Sequence, residues 1–308
     1  MTIDRLRIAT RKSALALWQA NHVKAALERA HPGLVVELIA LTTEGDRRLD
    51  ARLSEAGGKG LFTKELEVAM ADGRADVAVH SMKDVPAVMP PGFEIPVIAF
   101  RADVRDAFVS TRYGRLADLP AGARVGSSSL RRGAQMLARR RDLVIAPVRG
   151  NVNTRLDKLD RGEYDALLLA AAGLDRLGLA HRINERLSID VSLPAAGQGA
   201  LGVECPSGRR DVAQALAPLV DTRVRDCVLA ERAIAAALGA DCTLPIAAYA
   251  TETGGTLDLR ALVATPDGSR IVTARRSGTD PVVLGREVAD ALRAQGADAL
   301  LAQLRGSH

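Results

Sequence analysis

The sequence predicts an α/β protein built as two similar α/β halves followed by a small α+β segment. Strand-like and helix-like segments alternate from Leu6 to Ala170. Gly-bearing, cationic loops follow the strands, and beyond a Gly- and Pro-rich stretch the pattern changes to a helix, alternating strands and a last helix.

Leu6 to Thr10 reads as a strand, and Ser13 is placed to cap a helix with the stripe Ala16, Ala20, Val23 and Leu27. Leu34 to Thr43 is β-rich. A Gly- and charge-laden loop runs from Glu44 to Gly60, and Phe62, Leu66 and Met70 mark one helical face before the strand Asp76 to Ser81. Ile95 to Phe100 supplies another strand. The pattern then restarts with Arg105 to Ser110 and Ala123 to Gly126. A helix carrying Leu130, Ala134 and Leu137, the strand Leu143 to Val148, a helix carrying Val152, Leu156 and Leu159, and Tyr164 to Ala170 complete it. Such alternation predicts parallel sheets with right-handed crossovers. Boundaries are expected near Arg101 to Asp103 and near Leu193 to Gly202, the latter as a hinge. Thereafter Thr222 to Leu238 reads as a helix with Val224, Cys227, Ile234 and Leu238 on one side. Ile246 to Thr251, Leu257 to Ala264 and Ile271 to Arg275 read as antiparallel strands turning at Gly254-Gly255 and Asp267-Gly268, and Pro281 to Gln295 reads as a covering helix.

The chain has 308 residues, 47% hydrophobic and 26% charged, which excludes bulk disorder and a disulfide-stapled scaffold. No apolar run approaches the ~20 residues that span a bilayer, and Asp4, Arg5 and Arg7 interrupt any signal core, so a cytoplasmic protein with no membrane partner is expected. The net charge of +5 suits an anionic partner. At 3% aromatic residues there are few platforms for stacking bases, and no nucleic-acid partner is expected. Scattered histidines give no metal-ligand spacing, so no metal is predicted, and Cys205, Cys227 and Cys242 form no C-x-x-C pair.

Ligands of open α/β sheets bind beyond the carboxyl ends of the strands. The loops so selected hold Arg11, Lys12 and Ser13; Lys59 in Gly57-Gly58-Lys59-Gly60; Lys83 and Asp84; Ser128, Ser129, Arg131 and Arg132; Arg149 and Arg155; and Arg176. Each contains a cation. Guanidinium forks grip carboxylates or phosphates through paired bonds, so the cleft is expected to hold a polyanion. The Gly57 loop lacks P-loop spacing, which disfavours nucleotide hydrolysis. Arg139, Arg140 and Arg141 close a helix and read as a solvated run. Asp84 is the carboxylate among these cations, and charge pattern alone leaves two readings open: a salt-bridge partner for Lys83 or a nearby arginine, or a catalytic acid or base. His80 and Cys227 read as packed residues, while Cys242 sits in a turn leading into the last segment.

At these residues the chain resembles the porphobilinogen deaminase (hydroxymethylbilane synthase) family almost from end to end. The shared motifs include Arg11-Lys-Ser-Ala-Leu-Ala-Leu-Trp-Gln-Ala20, Gly57-Gly-Lys-Gly-Leu-Phe-Thr-Lys-Glu-Leu-Glu67, Val79-His-Ser-Met-Lys-Asp-Val-Pro86, Ser128-Ser-Leu-Arg-Arg132, Arg149-Gly-Asn-Val-Asn-Thr-Arg-Leu156 and the Cys242 turn. The resemblance implies two hinged, doubly wound α/β domains like type II periplasmic binding proteins, over 1–100 and 101–194, with 195–220 returning to the first. A cofactor-carrying α+β domain is implied over 221–308. It further implies a dipyrromethane cofactor joined to Cys242 by a thioether and stepwise head-to-tail condensation of porphobilinogen with loss of ammonia. The linear tetrapyrrole hydroxymethylbilane is then released by hydrolysis, and the enzyme acts as a monomer. Arg131, Arg132, Arg155, Ser128, Ser129, Lys83 and Asp84 are implied to hold the cofactor, and Arg11, Ser13, Gln19, Lys59, Phe62, Arg149 and Arg176 the porphobilinogen and growing oligopyrrole. Asp84 is implied to be catalytic, stabilising positive charge at the pyrrole nitrogen and shuttling protons.

The chain departs from the family pattern at Asp241, where glycine usually precedes the cofactor cysteine, and at Ala247-Ala248. A carboxylate beside a thiol disfavours the thiolate. Two other classes stand beside the enzyme: a non-catalytic solute-binding protein of two hinged lobes, and a basic nucleic-acid-binding protein with steep salt dependence.

Overall fold

In the computed structural model, residues 3–44, 63–239 and 244–305 are described. The chain opens with β1 (Arg5–Arg11), whose Leu6, Ile8 and Ala9 are fully buried. Ser13 caps α1 (Ala14–Ala30) by accepting from the Ala16 amide, and α1 buries Ala20, Val23 and Leu27. β2 (Val35–Leu41), α2 (Lys64–Ala71), β3 (Val77–Ser81), a single 3-10 turn Met82–Asp84 and β4 (Phe93–Ala99) follow. β5 (Asp106–Val109) and β6 (Arg124–Gly126) lead to α3 (Leu130–Arg139), β7 (Val144–Ala146), α4 (Val152–Asp160), β8 (Ala166–Ala170), α5 (Ala171–Arg176) and β9 (Glu185–Arg186). β10 (Leu201–Pro206), α6 (Arg210–Leu216) and α7 (Thr222–Ala237) precede an antiparallel meander of β11 (Ile246–Thr253), β12 (Thr256–Ala264) and β13 (Ile271–Gly278). α8 (Pro281–Ala294) and α9 (Ala297–Arg305) end the chain.

These elements form two units, Met1–Arg101 with Gly199–Arg225, and Ala102–Gln198 with Asp226–His308. The first contains the sheet β2-β1-β3-β10-β4, and the second contains β7-β6-β8-β5-β9 together with the meander.

The expectation of all-parallel sheets is corrected. β1, β2 and β3 are parallel, but β10 runs antiparallel to β3 and β4. Likewise β6, β7 and β8 are parallel, but β5 runs antiparallel to β8. The odd strand of each sheet is the one the chain enters on crossing between units, so Asp106–Val109 is not the first strand of a repeated parallel series. The stretch read as a hinge also runs directly into a central strand, since Leu201 to Cys205 are fully buried in β10. Its glycines hid the strand. Gly202 is demanded by packing, because a Cβ there would lie 2.2 Å from Met82 Sδ.

A second correction concerns α3. The stripe Leu130, Ala134, Leu137 predicts an apolar inner face, yet Leu130 is exposed and the helix buries Arg131, Arg132, Gln135 and Met136 around Ala134. The reason is a buried carboxylate opposite them, described below. The meander turns at Gly254, Gly255 and Gly268, all with positive φ. Its Leu257, Leu259, Ala261 and Val263 pack on α7, α8 and α9 through Ile234, Val288, Leu292 and Leu301. Leu304 therefore belongs to a helix and packs against this core.

Candidate active site

In the first unit β1 and β3 are parallel neighbours, so Arg11 and Ser13 follow one strand at the same edge where Lys83 and Asp84 follow the other. The Met82 amide donates to the Ala200 carbonyl at 3.0 Å, and the buried Met82 side chain fills the space left by Gly202. This anchors the turn from beneath and leaves Asp84 exposed on it. Among the described residues Asp84 has no hydrogen-bond or ion-pair partner, so the salt-bridge reading finds no support. Gln19 is buried and donates from Nε2 to Ser81 Oγ at 2.8 Å, tying α1 to the end of β3. His80 is packed as expected, its Nε2 lying 2.6 Å from Glu204 Oε2 across β3 and β10.

In the second unit the ends of β6, β7 and β8 converge on one edge, because the strands are parallel. Ser128 Oγ donates to the Val148 carbonyl at 2.7 Å and accepts from the Val148 amide at 3.1 Å, clasping two loops together. Ser129 caps α3, accepting from the Arg132 amide. Asn151 caps α4, accepting from the Thr154 amide at 3.0 Å. Gly150 has φ +107°, and a Cβ there would lie 2.7 Å from Thr154, so the loop carrying Arg149 needs glycine. Arg155 Nε donates to the Gly150 carbonyl at 2.8 Å and Lys158 Nζ to the Arg149 carbonyl at 3.3 Å, which stiffens the same loop. Arg176 is half-buried at the end of α5, and burial lowers its pKa to about 10, still charged at neutral pH.

Arg131 and Arg132 are the deeply placed cations, at 4% and 7% exposure. Asp106, wholly buried, accepts from Arg131 Nη1 at 2.8 Å, Arg131 Nη2 at 3.1 Å and Arg132 Nε at 2.8 Å. Ser192 Oγ and Gln198 Nε2 complete its shell at 2.7 and 2.9 Å. Burial alone would raise this carboxyl, but the guanidiniums and hydrogen bonds outweigh it and hold the pKa well below the carboxylate range. Sequence reading passed over Asp106, Ser192 and Gln198. The available signal was an acid opening an otherwise apolar strand, Asp106-Ala-Phe-Val109.

Arg140 of the solvated run pairs with Asp142 at 2.7 Å, and Arg139 Nη2 donates to the Asp190 carbonyl. Cys205 and Cys227 are buried, and burial pushes the Cys205 thiol up to about 11, unsuited to act as a nucleophile at neutral pH. Lys59, Phe62, Cys242 and its neighbour Asp241 lie outside the described residues. The described residues hold no cluster of His, Cys, Asp and Glu fit for a metal, and no helix long and apolar enough to cross a membrane.

Residues 6–214 match the family model described as the porphobilinogen deaminase dipyrromethane cofactor-binding domain, and residues 226–294 match its C-terminal domain. A porphobilinogen deaminase from Acidithiobacillus ferrooxidans is 57% identical over 302 residues, covering 98% of this chain and 99% of its own. One from Bordetella parapertussis is 58% identical over 304 residues, covering 98% and 97%. Among solved structures, a periplasmic substrate-binding protein of an ABC transporter from Coxiella burnetii aligns with a TM-score of 0.44 at 13% identity, covering 71% of this chain and 94% of that one. With both family models matching across most of its length, the chain belongs to the porphobilinogen deaminase family.

Proposed function

We propose that the chain condenses porphobilinogen head to tail, with loss of ammonia, into hydroxymethylbilane, on a dipyrromethane primer joined to Cys242 by a thioether. The observation that carries this reading is Asp84: an exposed carboxylate without a partner among the described residues, held on a firmly anchored turn. It lies at a strand edge that also presents Arg11 and Lys83.

The donor set fits the cofactor. Dipyrromethane bears carboxylate side chains, and the loops after β6, β7 and β8 present guanidiniums and hydroxyls, the groups that bind carboxylates most firmly. Ser128, Ser129, Arg132, Arg155, Lys83 and Asp84 would hold it, and Arg131 would contribute its charge from the buried pair with Asp106. When bound, the group supplies a pyrrole carbon as primer for chain growth. Arg11, Ser13, Gln19, Lys59, Arg149 and Arg176 take the carboxylates and polar edges of porphobilinogen and the lengthening chain, and Phe62 stacks on the reacting ring. As the aminomethyl C–N bond of porphobilinogen breaks and ammonia departs, positive charge spreads to the pyrrole nitrogen. The Asp84 carboxylate accepts that N–H and offsets the charge. The same oxygens take and return protons as the new C–C bond forms.

The reading carries a division into domains 1–100 with 195–220, 101–194 and 221–308, a cytoplasmic monomer, and no nucleic-acid or membrane partner. Its test is ammonia and tetrapyrrole release by purified protein whose intact mass includes the cofactor. Loaded protein that consumes no porphobilinogen overturns it.

A further inference from the structure

On the second unit, away from the strand edge just described, lies a cleft of about 630 Å³ between the end of α3, the segment around Ile189–Leu193 and the β12–β13 face of the meander. Its size falls within the range of about 300–1,000 Å³ typical of small-molecule sites. Its lining includes the apolar Leu193, Leu262 and Ile271. The lining is also cationic. Arg260 and Arg275 face each other directly across β12 and β13, an arrangement that by itself destabilises a sheet, and Arg139 joins them from α3.

Two carboxylates partly offset these three cations. Arg260 Nη2 donates to Asp190 Oδ1 at 2.8 Å, and Arg275 Nε is shared between the oxygens of Asp258 at 2.9 and 3.1 Å. Arg139 spends Nη2 on the Asp190 main-chain carbonyl. Among the described residues those contacts leave most of the donors of all three guanidinium forks unspent. The cleft is built firmly on both sides. Gln135 brackets the Leu193 main chain, accepting from its amide at 2.7 Å and donating to its carbonyl at 3.1 Å. The Gly268 turn meets the α3 backbone so closely that a Cβ would lie 2.3 Å from the Ala134 carbonyl oxygen.

We propose that this cleft is a second ligand site, distinct from the condensation site, for a small organic polycarboxylate with a planar apolar ring. The ring covers Leu193, Leu262 and Ile271, and the carboxylates engage Arg139, Arg260 and Arg275. Such a ligand relieves the cross-strand repulsion and ties α3, which carries Arg131 and Arg132, to the meander. Two sources share this chemistry: an unrelated aromatic carboxylate, or a carboxylated pyrrole such as porphobilinogen itself.

The test uses the cofactor-loaded protein and trimesate (benzene tricarboxylate) as probe, with porphobilinogen as a second arm, by titration calorimetry and thermal unfolding. Trimesate is expected to bind the wild type and raise its unfolding temperature by linkage. The double variant Arg260→Gln, Arg275→Gln is expected to bind it at least about ten-fold more weakly, as loss of charge-assisted bonds dictates, with porphobilinogen turnover unchanged in the absence of probe. Should the double variant unfold, Arg139→Gln provides the same comparison from the helix side. Porphobilinogen binding in excess of the condensation site that is lost in the double variant assigns the pyrrole source, and trimesate binding alone assigns the unrelated carboxylate. Equal trimesate affinity in wild type and variants, no binding at millimolar probe, or binding abolished by Arg149→Leu and kept in the double variant each overturns the proposal.

Discussion

Asp106 holds Arg131 by both terminal nitrogens, at 2.8 and 3.1 Å, and the pair is sealed from solvent between β5 and α3. Arg132, one position on, reaches the same carboxylate through Nε. An aspartate at the start of one strand therefore sets the orientation of two arginines on a helix far along the chain.

The pH dependence of stability follows from that arrangement. Asp106 is held below its unfolded value of about 3.9 by Arg131 and Arg132, and Asp103 is lowered to about 2, chiefly by its hydrogen bond from Arg105. Depressed carboxyls stabilise the fold fully above about pH 4, and this contribution is lost as pH falls through their folded values. Urea midpoints should drop steeply on acidification below about pH 4. Asp106→Asn, which leaves two buried guanidiniums without their carboxylate, should cost about 3–5 kcal/mol at neutral pH and flatten that acid limb. An unchanged limb would show that the pairs do not govern acid stability.

Asp84→Asn keeps the shape of the turn but cannot hold negative charge or exchange protons. Turnover should fall by ~10² to 10⁴, while intact mass still shows the cofactor and thermal stability stays near wild type, since Asp84 is exposed and anchors nothing among the described residues. Single-turnover ammonia release isolates the chemical step. Near-normal release would remove Asp84 from the mechanism.

Position, not number, should decide which arginines matter. Arg149→Leu, on the loop fixed by Gly150, and Arg155→Leu, in the first turn of the helix capped by Asn151, should stall elongation or cofactor assembly, each losing interactions of about 1.5–3 kcal/mol. Arg140→Leu, a half-buried partner of Asp142 and of the Leu119 carbonyl, should leave turnover unchanged. Steady-state rates and the mass ladder of pyrrole additions distinguish them, and equal losses in all three variants would indicate a diffuse charge effect.

Cys242 should carry the added mass of two linked pyrrole rings, with Cys205 and Cys227 unmodified because both are buried. Peptide mass mapping decides this. Cys242→Ser should yield apoprotein with a lower unfolding temperature, as a ligand bound only to the folded state stabilises it.

Gly268→Ala should cost about 1–3 kcal/mol, since the turn has φ +66° and the new Cβ would meet main-chain atoms of Ala134 and Ala138, which cannot swing aside. A denaturant midpoint equal to wild type would mean that the hairpin tip does not dock on α3 in solution.

Most of the elements, though not β10, α6 or α9, were legible in the sequence, because a period of two or of three to four residues and a capping side chain are local properties. Ser13 capping α1, the apolar faces of α1 and α4, and the glycine turns of the meander are all legible in short windows. Its motifs likewise marked Asp84 and the loop cations. Tertiary structure alone decided the antiparallel strands β5 and β10, because strand direction depends on where the chain crosses between units, which no local window records. It also decided the inward face of α3. A helix reads as apolar-inward unless a buried charge awaits it, and Asp106 lies 25 residues before Arg131 in sequence but 2.8 Å from it in space. Desolvation makes an unpaired charge costly and a paired one tolerable, so that distant carboxylate, rather than the apolar residues of the helix, set which side faces in.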